Sequence, residues 1–259
     1  MKEINAILTI AHRDLVKLFR DRTRLIFSLI FPFIFIGVLG SSLQSNLSGE
    51  LGYNFLTFVF VGVLAQTLFQ STASGIISLV EDRENDFSQE IFISPVSRYS
   101  IIFGKILGET LVAFAGVVGI LVLGVVLQVP LDWARLLTLL PFGLIVALFG
   151  GAFGILVMAN LGGQRTANQV FPFIIFPQFF LAGVFNPIQN LPPVLLFLSR
   201  ISPMTYAVDL FRSVYYTGTA AFDKTVIFGT LVNMAAIFVM FLLFFSIGTI
   251  LFVRSERNR

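Results

Sequence analysis

The stretch VIFGTLVNMAAIFVMFLLFFSIGTILFV, which runs from Val226 to Val253, decides the fold of this chain. It contains no Asp, Glu, Lys, Arg or His. About 20 consecutive apolar residues cross a hydrocarbon core about 30 Å thick, so this run is long enough for a membrane-spanning helix. Five further apolar runs precede it, at residues 25–43, 55–79, 106–127, 136–161 and 170–185. The sequence therefore predicts an all-α membrane protein with six transmembrane helices in a single domain, residues 1–259.

The composition excludes several classes of protein. Hydrophobic residues make up 56% of the 259 residues and charged residues only 12%, whereas soluble domains carry about a quarter charged residues. The basic residues flank the apolar runs, which indicates a lipid bilayer rather than a nucleic acid as the partner. The chain has no Cys and one His, His12, so disulfides and an HExxH zinc site are excluded. We therefore expect a chain that is not an enzyme and binds no metal or cofactor itself.

The distribution of basic residues predicts the orientation in the membrane. Six spans place both termini on one face, and thirteen of the 17 Lys and Arg residues fall on that face. The other four are Arg135, Arg200, Arg212 and Lys224. Since cytoplasmic loops carry the excess of basic residues, both termini are predicted to be cytoplasmic. We expect a multi-pass protein of the plasma membrane, and specifically of a bacterial inner membrane.

Residues 1–24 form a basic, patterned segment before the first span. Apolar residues from Ile4 to Phe19 recur at helical spacing, and Arg13, Lys17 and Arg20 lie between them. This pattern predicts an amphipathic helix that lies in the membrane interface. The alternative is a solvated basic leader.

The predicted spans contain few groups that could bind a coupling ion. Secondary carriers keep ionisable or carbonyl ligands near the midplane, and these spans offer little of that kind. Gln66, Gln70, Gln178 and Phe179 are the candidate path-lining residues, although polar residues in spans often serve only to hold helices together. If the protein transports a compound, the energy is expected to come from a separate protein.

Lys105 and Glu109 stand four residues apart at the start of the third span. They are the nearest candidates for the ionisable ligands that a carrier needs, but they stand within snorkelling distance of the cytoplasmic surface. We interpret them as an interfacial, helix-facing pair.

The densest group of acidic residues lies between the second and third spans, in EDRENDFSQEIFIS, residues 81–94. Phe87, Glu90, Ile91 and Ser94 fall on one stripe of a short helix, and the Pro after Ser94 ends it. Such a helix suits docking of a soluble partner, with apolar anchors and acidic residues at the rim. The alternative is a solvated connecting loop. The residues that we assign to the docking site are Glu81, Glu84, Phe87, Glu90 and Ile91.

Residues 186–225 are predicted to form an external hairpin. The run VLLFLSRIS is too short to span the membrane, and Met204 to Tyr216 is amphipathic. Both are expected to be short helices that dip into the outer leaflet, with a packed surface loop as the alternative. The hairpin residues singled out are Pro187, Pro192, Pro203, Tyr206 and Arg212.

Two stretches resemble the permeases of type-two ATP-binding cassette (ABC) exporters. SQEIFISPVSRYSIIFGKILGE is similar to the family's SPVSRxxIxxGK run after the second span. FLAGVFNPIQNLPPVLLFLSRISPMTYAVDLFR is similar to its signature near the fifth span. Glu90-Ile91-Phe92 departs from the family's usual Glu-Leu-Leu, which leaves the identity of the partner open.

The resemblance implies a division of labour. Residues 81–94 would be the coupling helix, and Ser94, Pro95 and Arg98 would belong to the rigid return to the third span. Residues 1–24 would be the connecting helix, and the hairpin would cap the path on its exit side. A second permease subunit, identical or a sister chain, would complete the path. ATP and Mg would be bound by a separate ABC ATP-binding protein, and this chain has no GxxxxGK(S/T) phosphate loop.

The expected function is export of a hydrophobic or amphipathic compound, namely a drug, a lipid or a lipid-linked glycan. The long hairpin favours the drug or lipid branch over the polysaccharide branch. Two alternatives stay open at this point, a membrane scaffold that transports nothing and a secondary carrier.

Overall fold

A computed structural model describes residues 2–20, 30–42, 44, 52–84, 97–159 and 161–257. Within these ranges every regular element is helical. The longer helices are α1 (Lys2–Arg20), α2 (Phe55–Gly75), α3 (Ile77–Glu84), α4 (Arg98–Val126), α5 (Trp133–Met158), α6 (Gln164–Leu181), α7 (Pro193–Ile201), α8 (Pro203–Tyr215), α9 (Phe222–Thr225) and α10 (Thr230–Arg257). A π-helical segment (Phe33–Gly40) precedes α2, and a 3-10 turn (Ile188–Asn190) precedes α7.

Four of the described helical stretches are long and apolar enough to cross a membrane. They are Phe55–Glu81, Tyr99–Val126, Trp133–Met158 and Phe222–Ser255. A fifth results if α7 and α8, which are bent by 86°, count as one broken span. These stretches coincide with the predicted second, third, fourth and sixth spans. The six-span count stays a prediction, because residues 25–29 and 43 of the first span lie outside the described ranges and α6 begins with a polar turn.

The third predicted span differs from the observed helix at its start. α4 begins at Arg98 rather than near Ile106, because the Ser97 side chain caps it by accepting a hydrogen bond from the Ser100 backbone N–H at 3.1 Å. Lys105 and Glu109 therefore lie inside a continuous helix. The helix that packs against the first half of α4 therefore determines the surroundings of these two side chains.

The helix at the centre of the bundle is α2. It packs against α4, α5 and α8, and nearly all of its side chains are buried. A side chain at Gly150 of α5 would overlap the Phe69 backbone of α2, so the two helices approach through this glycine. The phenylalanines buried within α2 are Phe55, Phe58, Phe60 and Phe69.

The outward faces of α4, α5 and α10 are apolar. Large exposed side chains on these faces include Val118 and Val122 of α4, Leu137 and Leu144 of α5, and Phe238 of α10. A surface of this kind suits contact with lipid tails rather than water.

Helix α1 runs along the first half of α4. Ala11, Asp14 and Leu18 lie buried on one side, while Ile4 and Leu8 are exposed. Residues 21–24 of the predicted leader helix lie outside the described ranges. That α1 lies in the membrane interface stays a prediction.

Candidate functional site

Three charged side chains meet where α1 packs on α4, and we call Asp14, Lys105 and Glu109 the inner charge cluster. The Lys105 Nζ atom lies 2.8 Å from Asp14 Oδ2 and 3.7 Å from Glu109 Oε1. Each of the three side chains is only 2% exposed. Lys105 and Glu109 face neighbouring helices, as expected of a helix-facing pair, and their charged ends are buried in these helix contacts. The carboxylate of Asp14 draws Lys105 into the contact between the two helices.

Two glycines bring the helices close enough for this pairing. Gly104 and Gly108 lie one turn apart on α4, and a Cβ atom at either position would lie 3.0 Å from the Cα of Ile7 or Ala11. The backbones of α1 and α4 therefore touch along this edge, as small residues allow. At that separation the short side chain of Asp14 reaches Lys105.

The cluster also reaches the junction of α2 and α3. The Ser78 hydroxyl donates a hydrogen bond to Glu109 Oε1 at 3.2 Å. A side chain at Gly75 would overlap the Glu109 carboxylate, so that carboxylate lies directly against the last residue of α2. The two helices are separated here by Ile76. Glu109 thus joins α4 to a break in the helical chain just before the acidic segment.

The N-terminal half of α1 holds the other end of that segment. Both carboxylate oxygens of Glu3 accept hydrogen bonds from the Ser97 backbone N–H, at 3.0 and 3.2 Å. Hydrogen bonding by the Ser100 side chain, and then by the Ser97 backbone, lowers the pKa of Glu3 below its ordinary value. Hydrogen bonds to two charged residues therefore anchor the chain on both sides of residues 85–96. Glu109 of α4 binds Ser78 before this segment, and Glu3 of α1 binds Ser97 after it.

The predicted coupling residues are only partly described. Glu81 lies half-buried in the last turn of α3, the backbone of Glu84 ends that helix, and Arg98 is the first residue of α4. Phe87, Glu90, Ile91, Ser94 and Pro95 lie outside the described residues. The helix before the acidic segment begins at Ile77, four residues before the predicted coupling helix, because Ile76 interrupts α2.

The predicted residues of the connecting helix occupy different positions. Arg13 lies at the rim of the inner charge cluster, with its Nη2 atom 3.3 Å from Asp14 Oδ1. Lys17 is exposed, and of Arg20 only the backbone, at the end of α1, is described. Sequence reasoning missed Asp14. The available signal was its spacing, because Asp14 falls on the same stripe as Ala11 and Leu18.

A polar stripe follows one face of the otherwise buried helix α2. Beyond Leu56, the side chains of α2 that are not buried belong to Thr67, Gln70, Ser71 and Ser74. The buried Gln66 amide donates to Gln70 Oε1 at 2.8 Å, and Gln66 Oε1 has no hydrogen-bond partner among the described residues. The structure therefore places Gln70 on the open face and Gln66 directly behind it.

Gln178, the other predicted polar path residue, lies in a helix contact. Its Nε2 donates to the Ile174 carbonyl at 3.1 Å, and its Oε1 accepts from the Ser202 hydroxyl at 3.2 Å and from the Met204 N–H at 3.4 Å. Both ends of the amide are used in joining α6 to the start of α8. Phe179 is likewise buried, with its ring centroid 5.2 Å from that of Phe31.

At the other end of the bundle the guanidinium of Arg212 is buried. It lies 3.5 Å from the centroid of the Phe58 ring, and its Nη2 donates to the Val184 carbonyl at 3.0 Å. Arg212 thereby connects α8 to α2 and to the chain that follows α6. It contributes no surface charge, although the orientation argument counted it among the loop residues.

Asp209 lies one helical turn before Arg212 and holds the start of α10. Its carboxylate accepts hydrogen bonds from the backbone N–H groups of Ile227 and Phe228, at 2.8 and 2.7 Å, and from Asn233 Nδ2 at 2.8 Å. The unpaired N–H groups ahead of a helix favour a carboxylate in this position. Sequence reasoning did not select Asp209, although it lies in the stretch FLAGVFNPIQNLPPVLLFLSRISPMTYAVDLFR that resembles the family signature.

The predicted hairpin residues define short helices. Pro192 precedes α7, Pro203 opens α8, and Pro187 precedes the 3-10 turn. The Tyr206 hydroxyl donates to the Arg200 carbonyl at 2.8 Å and so links α8 back to α7. That these helices dip into the outer leaflet stays a prediction.

Comparison with known proteins identifies the family. The pattern of the ABC-2 type transporter family matches residues 5–216. The chain is 24% identical to the ycf38 protein of Cyanophora paradoxa, named as a transport permease, over 96% of this chain and 88% of that one. It is 28% identical to YbhR of Escherichia coli K12, named as a multidrug ABC transporter permease, over 54% of this chain and 38% of that one. Nodulation protein J of Rhizobium meliloti is 25% identical over 71% of this chain and 70% of its own length.

The match to the family covers α1, the inner charge cluster and the Arg212 contact, so both charged ends of the bundle lie within it. Within the described ranges, no three His, Asp or Glu side chains are grouped so as to hold a metal ion. The chain belongs to the ABC-2 type transporter family of membrane permeases.

Proposed function

We propose that this chain is the membrane-spanning subunit of an ATP-driven exporter, which moves a hydrophobic or amphipathic compound out of the cytoplasm or the inner leaflet. ATP and Mg are bound by a separate ABC ATP-binding protein. The name of the similar E. coli permease supports the drug branch. The observation that carries the proposal is the anchoring of both flanks of the acidic segment, at Ser78 through Glu109 and at Ser97 through Glu3.

This anchoring supports a mechanical role for residues 81–94. A loop that only connects two spans needs no buried charge at its base, whereas a docking helix needs a rigid mount. Removing one partner from a buried ion pair costs about 3–5 kcal/mol, so the inner charge cluster resists separation. Force applied by the ATP-binding protein to the acidic segment then reaches α3 through Ser78 and α4 through Glu109 together.

The polar stripe on α2 is our candidate for one wall of the transport path. Its half-exposed hydroxyl and amide groups are unsuited to lipid, since a polar group without a partner in hydrocarbon is unfavourable. We place a second permease subunit opposite it. The exposed aromatic face of α6, with Phe173, Phe176 and Phe180, would contribute to the contact between subunits. The termini are cytoplasmic in this arrangement, and the hairpin lies at the exit side.

Reconstitution with the ATP-binding protein tests the proposal. The triple variant Glu84→Ala, Phe87→Ala, Glu90→Ala is expected to insert into the membrane normally. It should lose stimulation of ATP hydrolysis and transport, because the docking helix loses its charges and its anchor. A matched control changes exposed hairpin residues, Phe197→Ala with Asp223→Ala, and should keep both activities. Unchanged ATP turnover and transport in the triple variant would contradict the coupling assignment.

A further inference from the structure

A groove between α2, α4, α5 and α8 opens on the lipid-facing side of the bundle. Its volume is about 130 Å³, and only apolar side chains and one glycine line it. The buried residues Leu64, Leu68 and Phe211 form its floor, and the exposed residues Leu137 and Leu140 lie at its rim. A wholly apolar cavity does not retain water. In a membrane such a groove takes up hydrocarbon.

The groove continues the lipid-facing surface of two helices that are apolar enough to span the membrane. Beside it, Val118 and Val122 of α4 and Leu144 of α5 are exposed without lining it. In the parts of α4 and α5 that border the groove, residues 110–126 and 133–158, the only charged residue is Arg135, in the first turn of α5. These exposed faces of α4 and α5 suit contact with the acyl chains of lipids. The groove extends the same apolar surface inward between the helices.

The length of the groove matches one leaflet. It extends along α5 from Trp133 to Gly143, about ten residues or roughly 15 Å, which is half of a hydrocarbon core about 30 Å thick. Trp133 is 53% exposed and stands next to the exposed ion pair of Asp132 and Arg135. Tryptophan favours the boundary between headgroups and tails. An acyl chain that enters beside Trp133 would end near the midplane at Gly143.

The groove is separate from the proposed path and from the proposed contact between subunits. None of the four residues of the polar stripe on α2 lines it. None of the residues of α6 lines the groove. Its occupant is therefore neither the transported compound in its path nor the second permease subunit.

We propose that this groove is a binding site for one acyl chain of a phospholipid in the leaflet opposite to α1. The occupant contacts Phe211 of α8 and Leu68 of α2, so it supports the outer hairpin against the central helix. The proposal does not depend on the exporter function, and its test involves no ATP hydrolysis.

Photolabelling tests it directly. The purified full chain is placed in phosphatidylcholine vesicles that contain a phosphatidylcholine with a diazirine halfway along one acyl chain. After irradiation, peptide mass spectrometry is expected to find label concentrated on groove residues of α4 and α5, above the level on the exposed face of α10. Label spread evenly over all lipid-facing helices would overturn the proposal. Label concentrated on the half of α4 that packs against α1 would also overturn it.

A substitution at the rim provides the second arm. Leu140→Trp fills the groove from its open side, where Leu140 is 50% exposed and has room to change. We expect about tenfold less label, because the indole displaces roughly two methylene groups from apolar contact. The control Leu144→Trp places the same ring one turn further along α5, outside the groove, and should label as the unmodified chain does. Equal labelling of the two variants would refute the site.

Discussion

Both ends of the helical bundle bury charge, and they stabilise it in different ways. In the inner charge cluster one flexible lysine lies between two carboxylates, Asp14 and Glu109. At the opposite end, no carboxylate among the described residues lies within ion-pair distance of the buried Arg212 guanidinium, which stacks on Phe58 instead. The carboxylate one turn away, on Asp209, binds backbone N–H groups and Asn233.

The difference concerns how freely each end can rearrange. An ammonium group on a flexible four-carbon chain can keep contact with its two acidic partners while the helices shift together, whereas a planar guanidinium stacked on a ring has one favourable orientation. The inner charge cluster is therefore suited to transmit movement. The Arg212 contact is suited to keep α2, α6 and α8 in one arrangement. Four predictions test this contrast, in order of decreasing expected effect.

The largest effect is expected for Lys105→Met. It leaves two carboxylates buried together, so the free energy of unfolding should fall by about 3–5 kcal/mol. Thermal unfolding of the purified chain in detergent measures this free energy. The control is Lys17→Met, at an exposed position on α1, which is expected to change the free energy of unfolding by less than about 1 kcal/mol.

The triple variant Asp14→Asn, Lys105→Met, Glu109→Gln should recover much of the stability but not the stimulation of ATP hydrolysis. Full recovery of both would show that the cluster serves packing alone.

The second prediction concerns Arg212→Lys. An ammonium retains the charge but loses the planar stack on Phe58, so we expect the free energy of unfolding to fall by about 2 kcal/mol. Because this end is assigned no part in transmission, the ATP hydrolysed per molecule transported should stay constant. Thermal unfolding and paired measurements of hydrolysis and transport check both statements. Arg200→Lys, at an exposed position, serves as the control. A change in the ATP hydrolysed per molecule transported would show that the Arg212 end also takes part in transmission.

The third prediction addresses the start of α10. Asp209→Asn removes the charge and places a donor opposite either the Ile227 N–H or both the Phe228 N–H and the Asn233 amide, so the loss is about 1–3 kcal/mol. Hydrogen exchange should become faster at the amides of residues 227–228 and stay unchanged at the start of α4. Equal acceleration at both ends would mean that the two regions are not independent.

The smallest effect is expected at Glu3. Its pKa is lowered in the folded chain, so its contribution to stability is present above the unfolded pKa and is lost as the pH falls through the folded pKa. Protection from hydrogen exchange at the amides of residues 97–100, measured relative to the intrinsic rate at each pH, should therefore fall below about pH 4 in the unmodified chain. In Glu3→Gln this protection should already be lower at neutral pH and should no longer depend on pH. The control Asp223→Asn should behave as the unmodified chain does. A pH dependence that survives in Glu3→Gln would assign it to another group.

Much of the architecture was predictable because it depends on long apolar runs. The second, third, fourth and sixth predicted spans coincide with helices, and the short helices expected in VLLFLSRIS and from Met204 to Tyr216 correspond to α7 and α8. The partners of charged residues were not predictable. Lys105 and Glu109 were visible four residues apart, yet Asp14 lies far away in sequence and reaches them only because Gly104 and Gly108 admit α1.

The sequence by itself determined that this chain is helical and lies in a membrane, because crossing hydrocarbon requires runs of apolar residues whose backbone groups are satisfied within each helix. It also determined the family, through motifs that are local in the chain. Only the tertiary structure decided which charged groups are buried together and which polar groups face an opening. The physical reason is that burial depends on how closely helices distant in sequence approach each other, and a few glycine contacts set that distance.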